Sequence, residues 1–224
     1  MPRRDSWGAA HDVQAIRGEI DRFLDTRDAA GRIAANAKYG VYAFYDYDGE
    51  PIYVGQTAER LRVRIRRHLT NQRTDAVAMN VLDPFEVAEV EMWPLYPETA
   101  AEGGAMLAAA ERAVYEKVIR ESGVGAVLNE KDIPPAPAFE LPPSHRGRII
   151  PEGLYEQRKH PDIRIARRAS TIASLAKVIS ERDVSKGLRR TLLTQAQRLE
   201  RLARARFGEV GGEVPVETTA DLEE

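Results

Sequence analysis

Two tyrosines, an arginine, a histidine and a glutamate stand in this chain at spacings that could serve one reaction centre. Tyr42 and Tyr53 are eleven residues apart, in two aromatic and β-branched runs separated by the turn signal Asp48-Gly49. Arg64 and His68 are four residues apart in LRVRIRRHL, so a helix there would stack them along one edge. Glu111 follows in AERAVYEK, and Asn129 in LNEK. Hydrolysing a phosphodiester requires an activated water, neutralised charge on the phosphate and help for the leaving oxygen. Two phenols, a guanidinium, an imidazole and a carboxylate could supply all three.

Elements that would position these groups can be read from periodicity. Residues 11–30 place Val13, Ile16, Ile20, Phe23 and Leu24 at helical spacing. The run 39–45 and the triplet Ile52-Tyr53-Val54, closed by Gly55, predict a β-hairpin. After Thr57 the period becomes 3.6, and Leu61, Ile65 and Leu69 form the apolar stripe of a helix over about 58–70. With that stripe inward, Arg64 and His68 lie along one edge, Arg60 and Arg67 turn to solvent, and Arg62 and Arg66 flank the other side. Residues 71–84 read as a loop, and 85–96 as a strand with Ala88, Val90 and Met92 on one face. Gly103-Gly104 precedes a helix over 105–121 carrying Leu107, Val114 and Val118 on one side. Glu111 shares that side and Glu116 points roughly opposite. A carboxylate in a reaction centre must face the sheet, which favours Glu111 and keeps Glu116 as the alternative.

Residues 126–131 read as a short extended segment, and 132–161 hold seven of the thirteen prolines, as an extended connector would. Helices over 162–182 and 184–206 follow as an αα-hairpin, the second striped by Leu188, Leu192, Ala196, Leu199, Leu202 and Phe207. The expected class is α+β: a small, mainly antiparallel three-stranded sheet flanked by helices, plus a C-terminal helical hairpin. The expected segments are an N-terminal helix (1–35), a catalytic domain (36–133), a proline-rich connector (134–161), the hairpin (162–207) and an acidic disordered tail (208–224).

Composition excludes several chemistries. The 224 residues contain no cysteine, hence no disulfide, thiol nucleophile or thiolate zinc site. The four histidines are scattered. No apolar run reaches the length of a bilayer span and the N-terminus lacks a signal-like apolar region, so the expected setting is cytoplasmic, without a membrane partner. Net charge is only −2, but it is unevenly spread. Residues 141–207 carry sixteen Lys/Arg against six Asp/Glu, and the tail from Gly208 has six acids and no base. A protein that meets a polyanion concentrates positive charge in this way, and solvated helix faces do so too.

Gly40-Val41-Tyr42 followed by Tyr53-Val54-Gly55 resembles the GIY…YIG signature of the GIY-YIG nuclease family. The helix with Arg64 and His68 resembles the family's arginine–histidine helix, AERAVYEK its glutamate helix, and LNEK its closing asparagine. The resemblance spans about 95 residues in family order and implies a stand-alone DNA endonuclease using one divalent ion, Mg²⁺ or Mn²⁺. By similarity, Glu111 is the metal ligand, Tyr42 the general base with Tyr53 and His68 in its hydrogen-bond network, Arg64 the phosphate grip and Asn129 a support. A free phenol has a pKa near 10, so Tyr42 in that role requires stabilised phenolate. Gln56 stands where some members carry a lysine, which shifts the burden to Tyr42. Arg62, Arg66, Arg67, Arg189 and Arg190 are the candidate DNA contacts. The C-terminal helices would either position DNA or pack, on the catalytic domain or as a homodimer. The rival to an enzyme is a catalytically silent or partner-dependent nucleic-acid-binding module of the same fold.

Overall fold

The computed structural model describes residues 6–70 and 81–213. The core element is a four-stranded antiparallel sheet in the order β2-β1-β3-β4, built from β1 (Tyr39–Tyr45), β2 (Pro51–Thr57), β3 (Glu89–Leu95) and β4 (His145–Arg148). The helices are α1 (Ser6–Leu24), α2 (Leu61–Leu69), α3 (Ala100–Glu121), α4 (Glu152–Lys159), α5 (Pro161–Glu181) and α6 (Lys186–Glu209). This is the α+β class read from the sequence, with the C-terminal helical hairpin and one additional strand. None of the described helices is long and apolar enough to cross a membrane.

Both faces of the sheet are covered, which explains why β1 reads as a nearly unbroken apolar run. Tyr42, Phe44, Ile52, Val90 and Met92 share one core with Leu61 and Ile65 of α2, Ile20 and Leu24 of α1, and Leu175 and Leu188 of the hairpin. Val41, Ala43, Tyr45, Val54 and Trp93 face the other way, against Leu107, Ala110, Val114 and Val118 of α3. Gly40 lets α2 come close: a Cβ there would lie 2.6 Å from Leu61 Cδ1 and 2.9 Å from the Trp93 carbonyl oxygen.

Several elements depart from the periodicity. The first helix ends at Leu24, not near residue 30. The segment expected to be strand from residue 85 begins with a 3-10 turn (Pro84–Glu86), capped by Asp83, whose side chain accepts from the Phe85 amide at 2.9 Å. Helix α3 starts before its glycine pair, with Thr99 as N-cap accepting from the Glu102 amide at 3.2 Å. Gly103 is buried there because the Tyr39 ring lies over it, 2.8 Å from where a Cβ would sit. The proline-rich stretch 134–161 contains β4 and α4, neither of which the proline count suggests. In β4 the charged side chains face outward at the sheet edge: Arg146 pairs with Glu89 at 2.8 Å and Arg148 with Glu152 at 2.5 Å. The tail expected from Gly208 begins inside α6, and residues 214–224 and 71–80 lie outside the described residues.

The hairpin stripe also differs. On α6, Leu188 and Leu202 are buried, but Ala196 is exposed and Phe207 is 49% exposed, while Thr191, Thr194, Gln195 and Arg198 are buried. Two of the buried polar positions bond across the interface. Gln195 donates to the Val81 carbonyl at 2.9 Å, and Arg198 donates to the Pro51 carbonyl at 3.0 Å. The hairpin therefore spends its inward face on the sheet of its own chain, which removes the motive for a second copy to cover it.

Its tie is Asp46, at the end of β1 and 2% exposed. Oδ1 accepts from the Asp48 and Glu50 amides at 2.9 and 3.1 Å, closing the β1–β2 turn around Gly49 (φ 72°). Oδ2 meets Arg168 at 2.8 Å, Arg198 at 2.7 Å and Arg164 at 3.2 Å, all three arginines buried. Glu86 pairs with Arg168 at 2.9 Å, and Asp48 with Arg164 at 2.7 Å. Burial pulls the Arg198 guanidinium down to about 10, so it still carries its charge at neutral pH. Removing one partner of such a cluster strands the rest without water. Asp46→Ala should therefore cost about 3–5 kcal/mol of stability, read from the urea midpoint. A midpoint within error of wild type would show that the cluster ties nothing.

Candidate active site

Tyr42 sits at the centre of β1 opposite Gly55 of β2, so its ring lies over the neighbouring strand. A Cβ at position 55 would stand 2.5 Å from the Tyr42 hydroxyl and 2.8 Å from the Tyr53 ring, which is the physical reason for glycine there. The Tyr42 hydroxyl is 3.2 Å from Nδ1 of His68, and the two rings meet edge-on with centroids 5.6 Å apart. The Tyr53 ring lies 6.2 Å from that of Tyr42 and 5.3 Å from that of His68. His68 is carried inward because α2 buries Leu61, Ile65 and Leu69 on the same side.

Arg64, one turn before His68, is half-buried beside these rings. Burial opposes its charge, but Tyr42, Tyr53 and Glu59 more than offset that, so its pKa rises above the ordinary arginine value. Its Nε is buried without a hydrogen-bond partner among the described residues. Tyr42, Tyr53, Arg64 and His68 thus gather on one face of the β1–β2 pair, as their spacing predicts.

Glu111 comes from α3, on the opposite face. The flank of α3 bearing Lys117 faces β3, with Lys117 3.5 Å from Glu91. The other flank bears Arg112, which donates to the Ile133 carbonyl at 3.2 Å. Glu111 stands beside the buried stripe on the side of α3 turned away from Lys117 and β3. It has no ion pair or hydrogen bond among the described residues, and burial pushes its carboxyl up to about 7. Glu116 is exposed and bound to Arg112 at 2.6 Å, so of the two glutamates only Glu111 is left unneutralised.

Asn129 sits where the chain leaves the edge of β2. Leu128 donates its amide to the Ile52 carbonyl at 2.8 Å, and the Asn129 side chain continues the ladder. Its Oδ1 accepts from the Val54 amide at 3.1 Å and its Nδ2 donates to the Val54 carbonyl at 2.7 Å.

Four of the five candidate DNA contacts are already engaged. Arg62 reaches Asp25 at 2.6 Å and the Leu24 carbonyl at 3.1 Å, and Arg66 reaches Asp21 at 2.5 Å, so both hold α1 to α2. Arg67 pairs with Glu59, and Arg190 with Asp132 at 2.6 Å. Arg189 is exposed with no side-chain partner among the described residues, as are Arg182 and Lys186 on the same α5–α6 turn. The sequence reading missed the last two, because counting charge does not tell a cation tied to an acid from one left over.

Residues 38–106 match a protein family described as the GIY-YIG catalytic domain. Over that stretch the chain is similar to a GIY-YIG catalytic domain. That likeness supports a nuclease function in general terms. The matched stretch contains Tyr42, Tyr53, Arg64 and His68 and ends five residues before Glu111. No curated protein and no solved structure matches the chain.

A recess of about 530 Å³ between the β1–β2 turn and the ends of α4, α5 and α6 lies away from this domain's tyrosines. Its buried arginines are neutralised by the Asp46 cluster, and it offers no comparable chemistry.

GIY-YIG nucleases generally use a divalent metal ion. Among the described residues no group of three or more His, Cys, Asp or Glu could cage one. The donor set nevertheless fits a hard ion that keeps most of its waters, because Glu111 is a desolvated carboxylate lacking a countercharge. A carboxyl raised from its ordinary value to about 7 is favourable while protonated, and that contribution is lost as pH rises from near 4.5 through 7. At pH 8 a bound divalent ion should therefore raise the Tm of the wild type and leave that of Glu111→Gln unchanged. A wild-type Tm indifferent to millimolar Mg²⁺ and Mn²⁺ would remove Glu111 as the ligand.

Proposed function

We propose that the chain is a DNA endonuclease that hydrolyses phosphodiester bonds with a single divalent ion, Mg²⁺ or Mn²⁺, held chiefly by Glu111. The observation that carries this reading is the Tyr42–His68 contact beside a half-buried arginine; the unneutralised carboxylate of Glu111 stands on α3, the helix packed against the other face of the same two strands. An ion at Glu111 would supply countercharge to the phosphate and the leaving oxygen.

The protein groups divide the remaining work. His68 Nδ1, when unprotonated, accepts the Tyr42 hydroxyl proton, and the fixed charge of Arg64 stabilises the phenolate that results. Tyr42 in that state takes the proton of the attacking water. Arg64 presents the same guanidinium to a phosphate oxygen, a use its planar fork suits. Tyr53 packs against the His68 ring and keeps bulk water from that side. Asn129 holds the backbone of Val54, between Tyr53 and Gly55, so the strand cannot slide.

DNA would lie across the α5–α6 turn, where Arg182, Lys186 and Arg189 have charge to spare, and contacts of this kind fix register without reading sequence. Wild type should nick supercoiled plasmid with Mg²⁺ or Mn²⁺, while Tyr42→Phe and Glu111→Ala should each lose about 10²-fold or more. Equal cleavage by all three proteins would refute the site, and none by the wild type with either metal would leave a silent binding module. In a filter-binding series, Lys186→Glu and Arg189→Glu should weaken DNA affinity, and each lost phosphate contact should flatten the log–log salt slope by about 0.9. An unaltered slope would take the hairpin turn out of the interface.

A further inference from the structure

We infer that Arg190, seated with Gly187 on the first turn of α6, is a positioning residue that braces the Asn129 segment against β2 and so sets the geometry of the Tyr53–Gly55 strand. The inference rests on the nuclease reading for its consequence but not for its geometry.

Arg190 Nη2 donates to the main-chain oxygen of Asn129 at 3.2 Å, and Nη1 reaches Asp132 at 2.6 Å. One guanidinium thus spans the segment 129–132 from outside. Gly187, buried on the same turn, lies so close to this segment that a Cβ would overlap the Glu130 carbonyl oxygen. Leu188 and Leu128 are both buried in the core beneath. The segment is therefore held from inside by its apolar neighbour and from outside by the helix turn.

What it holds in turn is specific. The Asn129 side chain makes both backbone hydrogen bonds of Val54, and Val54 is flanked by Tyr53 and by the glycine over which Tyr42 lies. A relay of three contacts leads from α6 to the two phenols: Arg190 to the Asn129 carbonyl, the Asn129 amide to Val54, and Val54 to its chain neighbours. Both Arg190 (45% exposed) and Asp132 (86% exposed) are open to water, so their ion pair adds little to global stability. The value of Arg190 lies in placement. A displacement of about 1 Å at a reacting group can cost about 10²-fold in rate.

This role competes with the simpler one of an arginine on a phosphate, and the two differ in what they move. In the full-length protein, Arg190→Ala should lower the single-turnover rate at saturating DNA by about tenfold or more. Its DNA Kd and salt slope should stay close to wild type. In an Asn129→Ala background the same change should cost nothing further, since both act through one contact. Amide exchange at Val54 should accelerate in Arg190→Ala while the global Tm stays within error. Gly187→Ser should reproduce the rate loss, and Arg190→Ala serves if that variant does not fold. A weaker Kd and a flatter salt slope with an unchanged saturating rate would make Arg190 a phosphate contact and overturn the brace. So would unchanged exchange at Val54, a measurement that needs no cleavage. Failure of the wild type to cut DNA would sink the nuclease reading separately.

Discussion

A single carboxylate oxygen receiving three buried guanidinium groups is the constraint around which this molecule is organised. Oδ2 of Asp46 gathers Arg164 and Arg168 from α5 and Arg198 from α6, while Oδ1 of the same side chain shapes the turn between the two site-bearing strands. Buried charge is costly unless every partner is present, so the arrangement is strict rather than merely favourable. The hairpin cannot leave the sheet without stranding three cations, and the β1–β2 turn cannot relax without disturbing the carboxylate. The shared core of Leu175 and Leu188 with Phe44 and Ile52 adds the non-directional part of the same attachment.

Given that frame, the candidate site lies where two constraints meet on β2. One face supplies the phenols and α2, and the other supplies α3 with Glu111. At an edge strand groups from the two faces can meet around the rim of the sheet, and β2 is an edge in the order β2-β1-β3-β4. Edge strands carry unpaired backbone groups. Along β2, Ile52 and Val54 are satisfied by residues 128 and 129. Gly55 follows directly, under the hydroxyl of Tyr42. The glycine serves the chemistry by its absence of side chain, and Asn129 by standing in for a strand.

Much of this was legible in the sequence because it follows local periodicity. The hairpin 39–57, the α2 stripe and the grouping of Tyr42, Tyr53, Arg64 and His68 depend on spacings of two and 3.6 residues, which hold regardless of the rest of the chain. Preferring Glu111 to Glu116 was the same kind of inference, and the structure leaves Glu116 exposed and paired with Arg112. What stayed hidden depends on partners distant in sequence. His145–Arg148 reads as part of an extended connector until Glu89 and the Tyr45 ring are seen to receive Arg146. Arg62 and Arg66 read as DNA contacts until Asp21 of the first helix and Asp25 just past its end are found beside them. The polar inward face of α6 has no apolar signature, because its burial depends on Asp46 and on the carbonyls of Val81 and Pro51.

The distribution of arginine carries the last step. Residues 141–207 look like a polycation when counted, yet Arg146, Arg148, Arg164, Arg167, Arg168, Arg190, Arg198, Arg201 and Arg206 all meet carboxylates in the fold. Arginine suits this use, since its planar fork binds two groups at once and is less strongly hydrated than lysine. The segment's excess charge is thus largely consumed in ion pairs within the fold, four of these arginines (Arg164, Arg168, Arg198 and Arg201) tying the hairpin to the β1–β2 turn. What remains uncompensated is concentrated at the α5–α6 turn, next to Asn129 and the open end of β2. A helical element that began, on charge alone, as a DNA-binding appendage is better described as a wall of the catalytic unit. The tied cations fix where that wall stands, and the free ones are left exposed on its outer turn.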